Sequence, residues 1–397
     1  MKYIEEINVE GKKVLVRSDF NISLDEEGDL SNDIRIREAL PTINYLIKKG
    51  AKIILLSHAS KEPKKKKSIS DESEYILKEG SLYPVKERLS ILLKREVLFV
   101  DDCIGEKVEK EVNEMKKGDV LLLENVRMYK EEKENSEIFG KEISRIADIY
   151  INDAFSVSHR NHASLTIPPI FIPSAYGMLM KKEIKVLEKI QKNPKKPIIA
   201  IVGGAKVESK IKSVNYFLEN ADHILLGGKI ANVLLAVRKI ASNLPKPSEE
   251  MIKIVEEINY TSPKLHLPVD VVASLDNTGE KEVRATAPGK VKKEEDIYDI
   301  GKETISLYSD IIREAGTVIW AGPLGLSEKK PFEKGTKEVG QSVIKNSRAL
   351  KVVAGGDTSK ALMQFNLLDK MNHISYGGGA MLTYIRKGKM PGIDALK

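Results

Sequence analysis

Short apolar runs rich in β-branched residues alternate with helix-length amphipathic stretches along the whole chain, and they do so in two series. Residues 14–17 (VLVR), 53–56 (IILL), 97–100 (VLFV), 120–123 (VLLL) and 149–151 (IYI) make the first, with helical segments such as 36–48 and 85–93 between them. Residues 198–202 (IIAIV), 223–226 (HILL), 269–273 (VDVVA), 318–320 (VIW) and 352–354 (VVA) make the second. Runs apolar at every position read as strands buried on both faces, and helices between them supply the crossovers that parallel strands need. At 397 residues the chain exceeds what one hydrophobic core usually holds. The expectation is an α/β protein: two doubly wound parallel-sheet (Rossmann-like) domains, residues 1–175 and 193–376, joined by an interdomain helix at 176–192. That helix carries Met178, Ile184, Leu187 and Ile190 at helical spacing, and NPKKP at 193–197 punctuates its end.

Composition excludes several classes. No apolar run approaches the roughly 18–20 residues of a membrane span, and MKYIEEINVEGKK at the start has no apolar signal region. Cys103 is the single cysteine, so no intrachain disulfide forms, which fits a cytoplasmic location. The net charge of +7 favours anionic partners. Lys64–Lys67 is the densest basic run and reads as a solvated loop; nucleic-acid binding would want interleaved aromatics and a recognisable module, and neither is evident.

In doubly wound sheets, ligands sit beyond the carboxyl ends of the strands, so the residues just after each run matter most. In the first half these are Asp19 and Asn21, then His58 and Lys61, then Arg127, then Arg160, with Arg35 at the start of a helix. Cations converging on one sheet edge around Asp19 and Asn21 suit a small, highly anionic substrate, because arginine forks match phosphate and carboxylate oxygens. His159 and His162 read either as a metal pair or as packing and hydrogen-bonding residues; no third ligand is obvious.

The second half places glycines where the first places cations. Gly203-Gly204 follows a strand and leads to Lys206 and Lys210, four apart on one helix face, where two like charges ask for an anion between them. The pattern is neither a Walker A loop nor G-x-G-x-x-G. Gly227-Gly228, Gly322-Pro323-Leu324-Gly325 and Gly355-Gly356-Asp357-Thr358 also follow strands. Asp357 reads as a Mg²⁺ ligand or as a plain N-cap, and Thr358 as a hydroxyl for a phosphate oxygen. Gly377-Gly378-Gly379 offers backbone N–H groups to an anion.

VLVRSDFN, DIRIREALPTI, LLSH, LLLENVR, NDAF…HRNHAS, IVGGAKVESKI, LPVDVV, GPLG, GGDTS and HISYGGGA stand in one order from about residue 13 to 392, and in this the chain resembles the phosphoglycerate kinase family. The resemblance implies Mg²⁺-dependent phosphoryl transfer from 1,3-bisphosphoglycerate to ADP, giving 3-phosphoglycerate and ATP. It implies triose binding by Asp19, Asn21, Arg35, His58, Lys61, Arg127 and Arg160. It implies nucleotide binding by Gly203, Gly204, Lys206, Lys210, Gly227, Gly301, Pro323, Glu328, Ala354, Gly355, Gly356, Asp357 and Thr358, with Glu328 on the ribose and Mg²⁺ on Asp357. Arg35, Lys210 and Gly377–Gly379 would hold the transferring phosphoryl, with no general base, and hinge closure would bring the two domains' ligands together. Residues 377–397 would return to the N-terminal domain. A monomer with small-molecule partners alone is expected. Three positions depart from the family pattern: Lys61 stands for an arginine, Ala321 for the asparagine of N-G-P, and Ser327 for an aromatic.

Overall fold

Residues 2–22, 30, 32–59 and 80–396 are described by the structure, a computed structural model. Lys61 and Lys64–Lys67 lie outside the described residues. The first sheet holds β1 (Lys13–Arg17), β2 (Lys52–Leu56), β3 (Leu98–Val100), β4 (Val120–Leu123), β5 (Ile149–Asn152) and β6 (Ser174–Tyr176). Its order is β3-β4-β2-β1-β5-β6 and every pairing is parallel. Nearly every residue of β1, β2, β4 and β5 is buried, as a sheet covered by helices on both faces requires. The second large sheet holds β7 (Ile198–Val202), β8 (His223–Leu226), β9 (Leu265–His266), β13 (Thr317–Ala321), β14 (Leu350–Ala354) and β15 (His373–Ser375) in the order β15-β14-β13-β7-β8-β9, again all parallel. Strand order reverses between β1 and β5 in one sheet and between β7 and β13 in the other, which fixes where each sheet opens a crevice.

The run at 269–273 corrects the expected second series. It supplies β10 (Val271–Ser274), which pairs antiparallel with β11 (Val283–Thr286) and β12 (Asp296–Ile300) in a separate three-stranded sheet. The reason is the short connection after it. Asp276 Oδ1 accepts from the N–H groups of Thr278 and Gly279, and Gly279 sits at φ +77°, so the chain turns back at once.

Two compact units result: Met1–Lys185 with Lys389–Lys397, and Val186–Gly388. The connecting helix is Met178–Lys192, because Tyr176 belongs to β6 and its hydroxyl donates to the Ile393 carbonyl at 2.5 Å. The chain's return to the first unit begins at Lys389 rather than 377. Helix Gly378–Lys387 packs on β14 and on helix Val207–Asn220, and Gly388, at φ +67°, ends it. No helix among the described residues is long and apolar enough to cross a membrane.

Candidate functional sites

In the first unit the loop after β1 carries Asp19, which is buried and collects three donors. Arg35 and the Ser156 hydroxyl both donate to Oδ2, and the Asn21 N–H donates to Oδ1 at 3.0 Å. Arg35 lies in the first turn of helix Ile34–Lys48, where the helix dipole disfavours a cation, so its placement follows from Asp19 rather than from helix preference. His58, after β2, is buried with Nδ1 4.0 Å from Asp19 Oδ1. Arg127, in the turn Val126–Met128 after β4, donates through Nη1 to the Ala59 carbonyl at 3.2 Å. Its Nε is buried without a partner among the described residues. Arg160 follows the turn after β5 and is exposed. Burial, then the charges of Arg17, Arg127, Arg35 and Arg160, pull the His58 pKa well below the usual imidazole value, so the ring is neutral near pH 7. Burial, then Arg160 and Arg17, also draw Arg127 down. Like charges gathered at such cost, with one unpartnered buried donor, are a combination that a bound polyanion would relieve.

Asp19, Asn21, Arg35, His58, Arg127 and Arg160 thus belong to one locus beside the β1/β5 reversal. Arg17 and Ser156 join them there without having been singled out from sequence. Arg17 is hidden as the last residue of an apolar run. Ser156 had one available signal, its place in the loop after β5. His159 and His162 carry no metal-ligand cluster, since none occurs among the described residues. His162 Nδ1 instead lies 3.6 Å from Glu132, and burial pushes its pKa down to about 4.

In the second unit the glycine loops pack backbone against backbone. Gly203 N–H donates to the Ala321 carbonyl at 3.1 Å, Gly204 N–H to Pro323 at 2.7 Å, and Gly228 N–H to Leu324 at 2.8 Å. A Cβ on Gly203 would sit 2.1 Å from the Pro323 oxygen, so glycine here lets the loops after β7 and β13 close on each other at the reversal. Gly227 N–H likewise goes to Val202 at 3.1 Å. Gly301 makes room for Asp270, whose carboxylate accepts the Glu303 and Thr304 N–H groups at 3.1 and 2.7 Å and caps helix Lys302–Arg313. These five glycines shape the site, and the N–H group of each is donated to a backbone carbonyl.

The open donors lie elsewhere. Helices Gly356–Gln364 and Gly378–Lys387 begin side by side, with a Cβ on Gly378 falling only 2.9 Å from Gly355 Cα. A Cβ on Gly356 or on Gly379 would meet nothing, so both helix starts face open space with their first-turn N–H groups. Gly377 is the N-cap of the second helix, and Ala354 ends β14 beneath the first. Asp357 is exposed in that first turn. Lys206 precedes helix Val207–Asn220 and is exposed; Lys210, one turn in, is partly buried. Burial lowers the Lys210 pKa, the Asp357 charge opposes that shift and the Lys206 charge adds to it, so the three groups share one neighbourhood. Thr358 differs from expectation. Its hydroxyl donates to Ala354 at 2.9 Å and accepts from Gly322 N–H at 2.7 Å, so it ties β14 to the β13 loop rather than standing free for a phosphate. Glu328 is exposed, Ser327 buried. A narrow cavity lined by Gly228, Ala231, Val271, Ile297 and Leu324 borders the loops.

Mg²⁺ keeps several waters and is usually bound through one or two carboxylates plus substrate phosphates. One exposed carboxylate beside two lysines and two helix N-termini fits an ion that arrives with a polyphosphate, and does not fit a preformed cage.

The family model for phosphoglycerate kinase matches residues 4–389. The phosphoglycerate kinase of Desulforapulum autotrophicum is 40% identical over 401 residues, covering 100% of both chains. That of Clostridium tetani is 41% identical over 405 residues, covering 100% of this chain and 97% of its own. Among solved structures, the phosphoglycerate kinase from Coxiella burnetii superposes with a TM-score of 0.83 at 32% identity over 99% of this chain and 98% of its own. The enzyme from Pyrococcus horikoshii OT3 gives 0.83 at 28% identity over 100% and 98%.

Proposed function

This chain belongs to the phosphoglycerate kinase family, and from that premise we propose how its own residues divide the work of moving a phosphoryl group between 1,3-bisphosphoglycerate and ADP. The observation that carries the division is the contrast between the two loci: a crowded, partly unpartnered set of cations in one unit, and paired helix N-termini with two lysines and one carboxylate in the other. The first takes the triose, through Arg35, His58, Arg127 and Arg160, with Asp19 and Asn21 reading its hydroxyl. Lys61 keeps its place in that proposal as a charge from outside the described residues. The second takes the nucleotide. The Gly356 and Gly378–Gly379 helix starts and Lys206 receive its phosphates, and Glu328 its ribose.

Asp357 would hold Mg²⁺, whose charge neutralises phosphate oxygens when bound. The leaving carboxylate of an acyl phosphate needs no proton, so the site needs positioned charge and no general base. We assign Arg35 and Lys210 to the transferring phosphoryl. The same reading carries small-molecule partners without nucleic acid or membrane, a monomer, and a cytoplasmic location.

A coupled assay of ATP formation from ADP and 1,3-bisphosphoglycerate tests the reaction, with the reverse direction as check. Arg35→Ala or Lys210→Ala should each lower kcat by on the order of 10²-fold, the cost typical of one lost electrostatic contact. A kcat near wild type in either would refute the assignment of that charge.

A further inference from the structure

Arg17 ends β1 almost wholly buried, 1% exposed, in the middle of the cationic locus. Its guanidinium has a partner on every side. Nε donates to Ser164 Oγ at 2.8 Å and Nη1 to the Ser18 carbonyl at 2.5 Å. Nη2 lies 3.3 Å from His58 Nδ1 and 3.8 Å from Glu132 Oε1. Glu132 is itself fully buried and accepts from the Ser164 hydroxyl at 2.7 Å and the Ser164 N–H at 2.8 Å. The arginine is therefore clamped, not swinging.

A guanidinium has five donors and no acceptor. Across the 3.3 Å contact, only His58 Nδ1 can accept, so Nδ1 presents its lone pair and the ring proton sits on Nε2. We propose that Arg17, held by Glu132 and Ser164, is a positioning residue that fixes His58 as a neutral Nε2–H donor for the triose. The site thereby gains one directional hydrogen bond instead of a further cation. Every charged group facing the ring pushes the same way except Asp19: Arg35 from its helix, Arg127 from the turn after β4 and Arg160 from the loop after β5 all repel a second ring proton. Asp19, at 4.0 Å from Nδ1, could attract one only where Arg17 already points its own N–H. The inference rests on reading this locus as the triose site, but the tautomer itself is observable without turnover.

Histidine-labelled protein, with His58 assigned through His58→Gln, gives the answer in long-range proton–nitrogen NMR spectra from about pH 5.5 to 8. An imine-type Nδ1, a pyrrole-type Nε2 and no titration are expected. A pyrrole-type Nδ1, or a titration in that window, overturns the proposal whatever the activity. The double variant Arg17→Met/Glu132→Gln removes the clamp without stranding a buried charge. In it His58 should become a tautomer mixture, still kept neutral by burial and by Arg127, Arg35 and Arg160, and KM for 3-phosphoglycerate should rise roughly tenfold while kcat moves less. An unchanged His58 spectrum in that variant also overturns the proposal, and if the variant fails to fold the wild-type spectrum decides alone. Expected spectra in a protein inactive toward 3-phosphoglycerate would instead refute the functional reading and leave the tautomer standing.

Discussion

Lys210 shows how a single side chain is placed against its own stability. Burial depresses its pKa, so between that value and the ordinary 10.5 the unfolded chain binds more protons than the native one. Its contribution to stability therefore rises with pH through that window, and near pH 7 the full cost of holding a half-hidden ammonium is present. Lys210→Met should raise the Tm of the ligand-free protein by a few degrees, since ~1 kcal/mol shifts a unit of this size by roughly 2–4 °C. The same variant should lose turnover by on the order of 10²-fold. A Tm that falls would mean the lysine is a structural residue. Residues of this kind were legible because each follows an apolar run or opens a helix: Asp19, His58, Arg127, Lys210 and Asp357 all do. The hydroxyl of Thr358 and the N–H groups of Gly203 and Gly204 were legible as near the site, but not as spent. Their partners, Gly322, Ala321 and Pro323, lie more than a hundred residues away from Gly203 or on another strand's loop, and only the folded sheet supplies them.

The connecting helix begins on a buried acid. Asp153 Oδ1 accepts from the N–H groups of Leu179 at 3.0 Å and Met180 at 3.2 Å, and a Cβ on Gly177 would sit 2.2 Å from it. A helix N-terminus favours a carboxylate by about 0.3–1 kcal/mol, less than one pK unit, while full burial can shift an acid by about 3–5 units the other way. Burial wins: the Asp153 pKa rises from 3.8 to about 7. The native state then holds a proton that the unfolded chain has released, so this group's contribution is full below pH 3.8, falls as pH climbs, and is constant above about 7. Asp153→Asn keeps an acceptor oxygen and cannot ionise. Its Tm should gain on the wild type steadily across that window, as thermal melts at a series of pH values would show; parallel curves would contradict an uncharged Asp153. At this scale the strong apolar runs gave themselves away, each within a residue or two. β6, β9 and β15 did not, because SAY, LH and HIS mix polar residues into two or three positions, whereas β3, as short and also at an edge, lies within the wholly apolar VLFV. The antiparallel sheet was masked differently. VDVVA has the composition of a buried parallel strand, and only the Asp276–Gly279 turn after it betrays the reversal.

The chain passes from the first unit to the second inside helix Met178–Lys192 and comes back at Lys389, so the first unit is completed by a segment some two hundred residues downstream of the rest of it. Those residues are anchored by polar as well as apolar contacts. Asn152 Nδ2 donates to the Gly392 carbonyl at 2.8 Å, Gly392 N–H donates to Ser158 at 2.9 Å, and Tyr176 donates to Ile393. Met390, Ile393 and Leu396 are buried. Burying each such side chain contributes about 1.5–3 kcal/mol, and cutting the segment away also removes the hydrogen bonds that Asn152 and Tyr176 make to it, although Asn152 keeps Ser158 Oγ at 3.3 Å. A chain ending at Gly388 uncovers the apolar surface that Met390, Ile393 and Leu396 seal, and should therefore unfold its first unit at a lower temperature. Hydrogen exchange at the β1 and β5 amides reports that transition, and Trp320, the single tryptophan and buried in the second unit, reports the other by its fluorescence. If the two signals shift together, the tail serves the whole chain. If only the first unit's signal moves, the tail is the last element of that unit, as its hydrogen bonds to Asn152, Ser158 and Tyr176 require. Asn152 ends β5 just ahead of the loop that sends Ser156 to Asp19, so the same truncation should also weaken 3-phosphoglycerate binding while leaving nucleotide affinity close to wild type.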